Sequence, residues 1–502
     1  MELDSSDNSL AAPKTRDIGD GEENFGYAST LRKEMRWFKS SMVALSTTSP
    51  ATAIFTLFAF GIGTGGTAFI WSFAVGFVVM LLVALVFSEL GANMPIAGAI
   101  YQWASRLGTP KYGYLTGWLY ALAQTAVLGA LGLAIAPIIG SVFDFVPTTG
   151  QASLVAIVVI VVVNFINLTG VQVVSRLTTV GAVCEIAVML GLTILLAVFG
   201  FGNQPFDVVL HSYGAPMDAT VLGIISAVML FGAWPYTALE MPTDMAEETI
   251  EAARAIPRAG ILNITLTFVV GMTFLLVVLW SVPGDIADLP GETDPLLTVV
   301  VGVLNLLVYK IFAVMVIVAI VMSMVGNQAL TARIIFSLAR DNKIPASSAF
   351  TRISQRTEVP VLPTLFVGVV SCILVLFTGA LAIIASAAIA GLFLAYQMGI
   401  WPAVYMRLTN RWQPTGWSLG RAAKPVYLAA AISGTALAVN VAWPRTPELP
   451  WYENWSSVIF VAGSFVLAGL YYMLGGQRVR NAIDARLPGT LKGSADPNPT
   501  AV

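Results

Sequence analysis

Twelve stretches of nearly continuous apolar residues run along the chain, joined by short polar connections. They lie near 41–65, 67–93, 112–141, 152–170, 178–201, 219–240, 259–282, 308–339, 361–379, 381–407, 425–443 and 455–475. A helix needs roughly 20 apolar residues to cross a bilayer. Backbone in hydrocarbon must satisfy its own hydrogen bonds, so these runs predict helices. The short alternating segments of a β-barrel are absent from the sequence. Residues 296–307 are also apolar and predict a separate short helix ahead of the eighth run. Residues 1–39 form a polar tail, acidic early and then basic at Arg32, Lys33, Arg36 and Lys39. This tail is expected to be disordered, with no cleaved leader and the first run as an uncleaved anchor. Residues 40–476 make the membrane domain, and 477–502 a second tail.

Two of the runs are interrupted. The first carries Thr47-Thr48-Ser49-Pro50-Ala51-Thr52, and the sixth carries Trp234-Pro235-Tyr236-Thr237-Ala238-Leu239-Glu240. Proline cannot donate to the helical ladder and clashes with the preceding turn. A simple kink is one reading; a broken helix whose freed polar groups face a cavity is the other. The interrupted runs are five apart, and corresponding breaks in two halves point to an inverted-repeat transporter. Helices 1–5 (40–201) and 6–10 (219–407) would then be the repeats, with helices 11 and 12 (425–475) as additions. A half-helix N-terminus offers unpaired amides to a carboxylate, and half-helix carbonyls can take an ammonium. Thr47, Thr48, Ser49, Pro50, Thr52, Trp234, Tyr236, Thr237, Ala238, Leu239 and Glu240 are therefore the candidate substrate-binding residues.

Charge supports the twelve-run layout. With a cytoplasmic N-terminus, 24 of the 26 Lys and Arg fall on the inner side, Lys310 and Arg445 excepted. That is the bias of the positive-inside rule, and it predicts two cytoplasmic termini in a cell membrane. Hydrophobic residues make up 57% of the chain and charged residues 11%, which excludes a soluble or disordered protein. The net charge of −2 gives no footprint for nucleic acid. Two cysteines, Cys184 and Cys372, and one histidine, His211, leave no basis for a metal centre, a cofactor or a disulfide framework. Gly61 to Gly66 matches G-x-G-x-x-G but lacks the strand–helix context of a nucleotide loop.

Three acids fall within or at the edge of the runs: Glu89, Glu185 and Glu240. Intramembrane carboxylates are expensive and point to function or pairing. Glu89 is expected in an ion pair near Arg106 and Lys111. With histidine absent from the runs, Glu185 and Glu240 are the candidates for a coupling proton.

The loops carry the most specific motifs. After run 6 comes Ala246-Glu247-Glu248-Thr249-Ile250-Glu251-Ala252-Ala253-Arg254-Ala255-Ile256-Pro257-Arg258. After run 8 comes Ala332-Arg333-Ile334-Ile335-Phe336-Ser337-Leu338-Ala339-Arg340-Asp341-Asn342-Lys343-Ile344-Pro345. Run 2 ends Ser88-Glu89-Leu90-Gly91-Ala92-Asn93-Met94-Pro95-Ile96-Ala97-Gly98-Ala99-Ile100-Tyr101. Together these resemble the amino acid–polyamine–organocation transporter superfamily. Gly416-Trp417-Ser418-Leu419-Gly420-Arg421 resembles a loop of its amino acid/choline subgroup. The resemblance implies an all-α membrane fold of twelve helices, a five-plus-five inverted repeat with broken helices 1 and 6. It implies transport of an amino acid, polyamine or choline-like amine by proton symport or exchange. Thr237-Ala238-Leu239-Glu240 falls on the family's x-G-(Y/F)-(D/E) segment, with Ala238 in the glycine position. Glu247, Glu248 and Glu251 lie near Arg254 and Arg258, and inner ion pairs of this kind can hold one state closed. With Glu89, Arg106, Arg333, Arg340 and Asp341 they form the candidate inner gate. A membrane enzyme would need a catalytic constellation in the spans, and none appears. A sensing receptor or an uncoupled facilitator of the same fold is the alternative.

Overall fold

The computed structural model describes residues 25, 33, 35–213, 225, 229–292, 294–378, 381–445, 447 and 449–487. The expected disordered N-terminal tail, the start of run 6 and the end of the C-terminal tail lie mostly outside these residues. Among the described residues the structure is helical, with one isolated bridge between Met35 and Thr249. In chain order the main helices are α1 (Trp37–Thr48), α2 (Pro50–Gly65), α3 (Ile70–Asn93), α4 (Ala99–Leu107), α5 (Pro110–Phe143) and α6 (Thr149–Asn167). Then come α7 (Val171–Phe199), α8 (Met229–Ala233), α9 (Met241–Asp244), α10 (Ala252–Trp280), α11 (Pro295–Val303) and α12 (Leu306–Arg340). The last are α13 (Val361–Thr378), α14 (Leu381–Leu408), α15 (Ala423–Ala442), α16 (Ser456–Leu474) and α17 (Gly476–Asp484).

Nine helical stretches among the described residues are long and apolar enough to cross a membrane, counting Trp37–Asn93 as one, and a shorter apolar helix spans Val361–Phe377. The helix starts follow from local chemistry. Thr109 accepts from the Tyr112 amide and Pro110 fills the first turn, where its missing N–H costs nothing. Thr148 and Gln151 form a reciprocal capping box on α6. Asn305 caps α12, so the apolar stretch before it breaks away as the separate helix α11, as its sequence predicts.

Burial sorts the helices into a centre and a rim. The most apolar windows of α5 and α14 are 72% buried, against 17% for α16, so α5 and α14 are the axis and α16 the periphery. α5 packs on both α12 and α14, and α3 packs on α10. α3 also meets α8 backbone to backbone. A Cβ on Gly76 would sit 1.9 Å from the Gly232 carbonyl oxygen, and one on Gly232 would sit 2.3 Å from that of Ser72. Only glycine permits that approach, which brings the interrupted sixth run against α3. The Gly61–Gly66 stretch closes the end of α2 and runs into a 3₁₀ turn, and what leads into it is helix, not strand.

Candidate functional site

The first run breaks at Ser49, which adopts φ 44° between α1 and α2. Pro50 opens α2, where its missing N–H costs nothing, directly after the left-handed turn at Ser49. The freed groups find partners on other helices. The Ala51 amide, at the start of α2, donates to Glu185 Oε1 of α7 at 2.7 Å. The Thr47 carbonyl, at the end of α1, accepts from Ser323 of α12 at 2.9 Å. Thr48 Oγ1 accepts from Asn263 of α10 at 2.7 Å. Ser49 and Thr52 hydroxyls lie 2.5 Å apart across the break. Gly326 lets α12 reach this point: a Cβ there would lie 2.1 Å from Thr47 Oγ1.

The second break follows α8. Trp234–Tyr236 form a 3₁₀ turn, Thr237 is extended, and Ala238 has φ 61°. Alanine thus occupies a left-handed position of the kind glycine usually takes, the position where the family resemblance places glycine. The Ala238 amide donates to the Tyr396 hydroxyl of α14 at 3.2 Å. Tyr396 in turn donates to Glu240 Oε2 at 2.6 Å. Gln124 of α5 donates to Glu240 Oε1 at 2.6 Å, with Tyr120 of α5 at 3.1 Å from the same oxygen. Asn327 of α12 donates to Gln124 Oε1 at 2.9 Å. Asp244, one turn on, accepts from Tyr120 at 2.6 Å and from the Gly98 amide at 2.9 Å.

The two breaks lie side by side. α1 packs on α9, and α2 packs on the Trp234–Tyr236 turn. All eleven residues read from the sequence as substrate-binding are buried, which is the condition under which irregular backbone persists at membrane depth. Around them stand residues that sequence reasoning passed over: Tyr120, Gln124, Asp244, Asn327 and Tyr396. A faint signal existed, since Gln124 and Asn327 are polar amides inside apolar runs. Glu185, Glu240 and Asp244 have no salt-bridge partner within 4 Å among the described residues, so the broken region is acid-rich.

The basic face of the bundle differs from the sequence reading in its partners. Glu89 is ion-paired, but with Arg407 of α14 rather than Arg106, and it also accepts from Ser418 Oγ at 2.7 Å. Arg106 instead donates to Gln102 and lies over the Phe25 ring. Lys111 faces Asp484 at 3.6 Å. Glu248 pairs with Arg333 at 2.6 Å and Glu247 with Arg340 at 3.0 Å, both largely buried. Asp341 accepts from Tyr101 at 2.7 Å. The run-6 and run-8 motifs therefore clasp each other. Arg254 and Arg258 do not join this clasp. Glu251 takes a left-handed turn at φ 52°, α10 starts after it, and both arginines face outward. Among the described residues Arg254 pairs with Glu251, at 3.6 Å in an exposed contact. His211 sits in an exposed loop beside Asp207.

Comparison with known proteins gives one family. The profile described as amino acid permease matches residues 36–468. Amino-acid permease 2 of Neurospora crassa is 26% identical over 487 residues, covering 90% of this chain and 87% of that protein. Amino-acid permease BAT1 of Arabidopsis thaliana is 23% identical, covering 90% and 93%.

Proposed function

The chain belongs to the amino acid permease family, a family of multi-pass membrane transporters and not of enzymes, and from that premise we propose a secondary active transporter for an amino acid or small organic amine. One observation carries the reading. Two interrupted helices lie side by side in the buried core, with the Glu240 carboxylate ringed by Tyr120, Gln124 and Tyr396. Such breaks suit alternating access about a fixed central site.

The partners of the breaks favour the five-plus-five arrangement. The amide of the first break is held by Glu185, on the helix of the fifth run. The amide of the second is held by Tyr396, on the helix of the tenth. Read as two repeats, the halves would make corresponding contacts, which supports that arrangement. The acid-rich surroundings favour a substrate that brings an ammonium group. A substrate carboxylate aimed at the Ala51 amide would have to displace Glu185, and protonation of Glu185 weakens the acceptor being displaced, so proton and substrate act on one group. This supports proton symport or exchange, with Glu185 and Glu240 as carriers. The clasp of Glu247 with Arg340 and Glu248 with Arg333 would close the inner side, with both termini cytoplasmic.

Proteoliposomes loaded with buffer alone and then with unlabelled substrate test this. Uptake of labelled amino acids or amines is expected in both modes. Glu240→Gln or Glu185→Gln should abolish pH-driven accumulation while exchange persists, since exchange moves no net proton. Unchanged pH dependence in both variants rejects the coupling assignment. Binding with no uptake in any mode supports the sensor reading instead.

A further inference from the structure

Arg254 and Arg258 belong to a motif that the inner clasp leaves unused. They lie one turn apart on α10, on the same face as Ile261, Leu262 and Thr265. That face lines a groove of about 1010 Å³, open at the basic end of the bundle and walled by Trp37 and Trp417. An adjoining hollow of about 400 Å³ adds Arg36 and Glu251. We propose that this groove binds an anionic phospholipid, with its phosphate on Arg36, Arg254 and Arg258 and an acyl chain along Ile261 and Leu262.

The groove is built, not incidental. The Met35 amide donates to the Glu248 carbonyl at 3.0 Å, and the Ile250 amide to the Met35 carbonyl at 2.7 Å. This bridge fixes Arg36 and Trp37 beside the start of α10. The opposite wall is tied as firmly. Asn93 at the end of α3 accepts from the Thr415 and Gly416 amides at 2.8 Å each, and donates to the Trp417 carbonyl at 3.0 Å.

Charge and polarity match one ligand class. Three arginines on this end of the bundle are spent on internal carboxylates: Arg333 on Glu248, Arg340 on Glu247 and Arg407 on Glu89. Arg36 and Arg258 have no ion pair among the described residues, and Arg254 has only the loose contact with Glu251. Three guanidinium groups thus outweigh one carboxylate. Along α10 the face turns from basic at Arg258 to apolar within about 10 Å, at 1.5 Å per residue. A free anion would have no use for the apolar part, and a neutral lipid no use for the arginines. Tryptophan at both walls suits the headgroup level. Basic pockets between spans on the inner side bind acidic headgroups. A headgroup here would also join the first turn of α1 to α10, and so steady the inner half of the broken first helix.

The test titrates purified full-length protein in neutral detergent with phosphatidylglycerol, with phosphatidylcholine and with inorganic phosphate, reading thermal midpoint. Phosphatidylglycerol should raise the midpoint more than phosphatidylcholine. Arg254→Gln/Arg258→Gln should weaken its apparent affinity on the order of tenfold or more. Arg352→Gln/Arg356→Gln removes the same charge from a loop outside the groove and should change nothing. Arg254→Lys/Arg258→Lys should restore most of the preference. An equal loss in both Gln pairs, or none in either, overturns the proposal. An equal shift from inorganic phosphate assigns the arginines to a free anion and also overturns it. A wild type that shows no phosphatidylglycerol preference rejects a lipid site.

Discussion

Ala238 shows how one residue can hold a functional backbone under strain. Its φ of 61° aims the 238 amide at Tyr396 and leaves Glu240 within reach of the same hydroxyl. A left-handed alanine costs about 1–2 kcal/mol relative to its usual conformations. Glycine removes that cost but brings more unfolded-state freedom, worth about 0.4–1 kcal/mol in the other direction. Ala238→Gly is therefore expected to raise the thermal midpoint slightly, by about 1–2 °C for a chain of this size. Ala238→Val should lower it, because a β-branched residue is a true outlier there. Thermal unfolding of the three proteins in one detergent checks the order Gly above Ala above Val. Any other order means that the 238 turn is not strained.

At the scale of elements, a short helix can be placed by a side chain from elsewhere, as the half-helices at the first break are by Ser323 and Glu185. The clearest case is α17, nine residues long and mostly polar on its outer face. Such a helix is too short to persist alone in water. Ile483 is buried against Tyr114 and Ala468, and Lys343 lies under its last turn. The Lys343 ammonium donates to the Ile483 carbonyl at 2.6 Å and to that of Ala482, meeting the partial negative charge of a helix C-terminus. Lys343→Met keeps the length and removes the donors. Amide exchange across 476–487 is then expected to speed up at least tenfold, while α5 and α14 keep their protection. Unchanged exchange would show that Ile483 alone holds α17.

At the scale of the whole molecule, orientation rests on charge. Among the described residues the bundle gathers most of its lysines and arginines at one end, where the motif pairs Glu89–Arg407, Glu247–Arg340 and Glu248–Arg333 also lie. The opposite end carries Lys310, which pairs with Asp144, and Arg445. Moving this distribution across the membrane the wrong way would violate the charge bias of insertion. Single cysteines at Ser212 and at Thr415, on a background lacking Cys184 and Cys372, should label from opposite sides of intact cells or vesicles. Both positions lie in loops, and Thr415 is exposed. Labelling from the same side rejects the twelve-run topology.

Hydrocarbon thickness and backbone chemistry made much of this protein legible from residue order alone. Apolar runs of membrane length had to be helices, and the polar, proline-bearing stretches at Thr47–Thr52 and Trp234–Glu240 marked where a kink or a break would fall, while Pro137, Pro257 and Pro402 stay inside continuous helices. The break at Ser49 and the cap at Asn305 are equally local. What the sequence could not reveal is which faces meet. Glu89 finds Arg407 across 318 positions, not the nearer Arg106, and Glu240 finds Gln124 and Tyr396 at separations of 116 and 156. Helix periodicity constrains neighbours three and four apart, and says nothing of the rotation and depth at which α5, α12 and α14 pack. Those are decided by close approaches such as Gly76 on Gly232, where two backbones touch. Arg254 and Arg258, near the acids in sequence, instead face outward after the left-handed turn at Glu251. Local sequence thus determined the helices and their breaks; long-range packing decided which polar groups would share the buried centre.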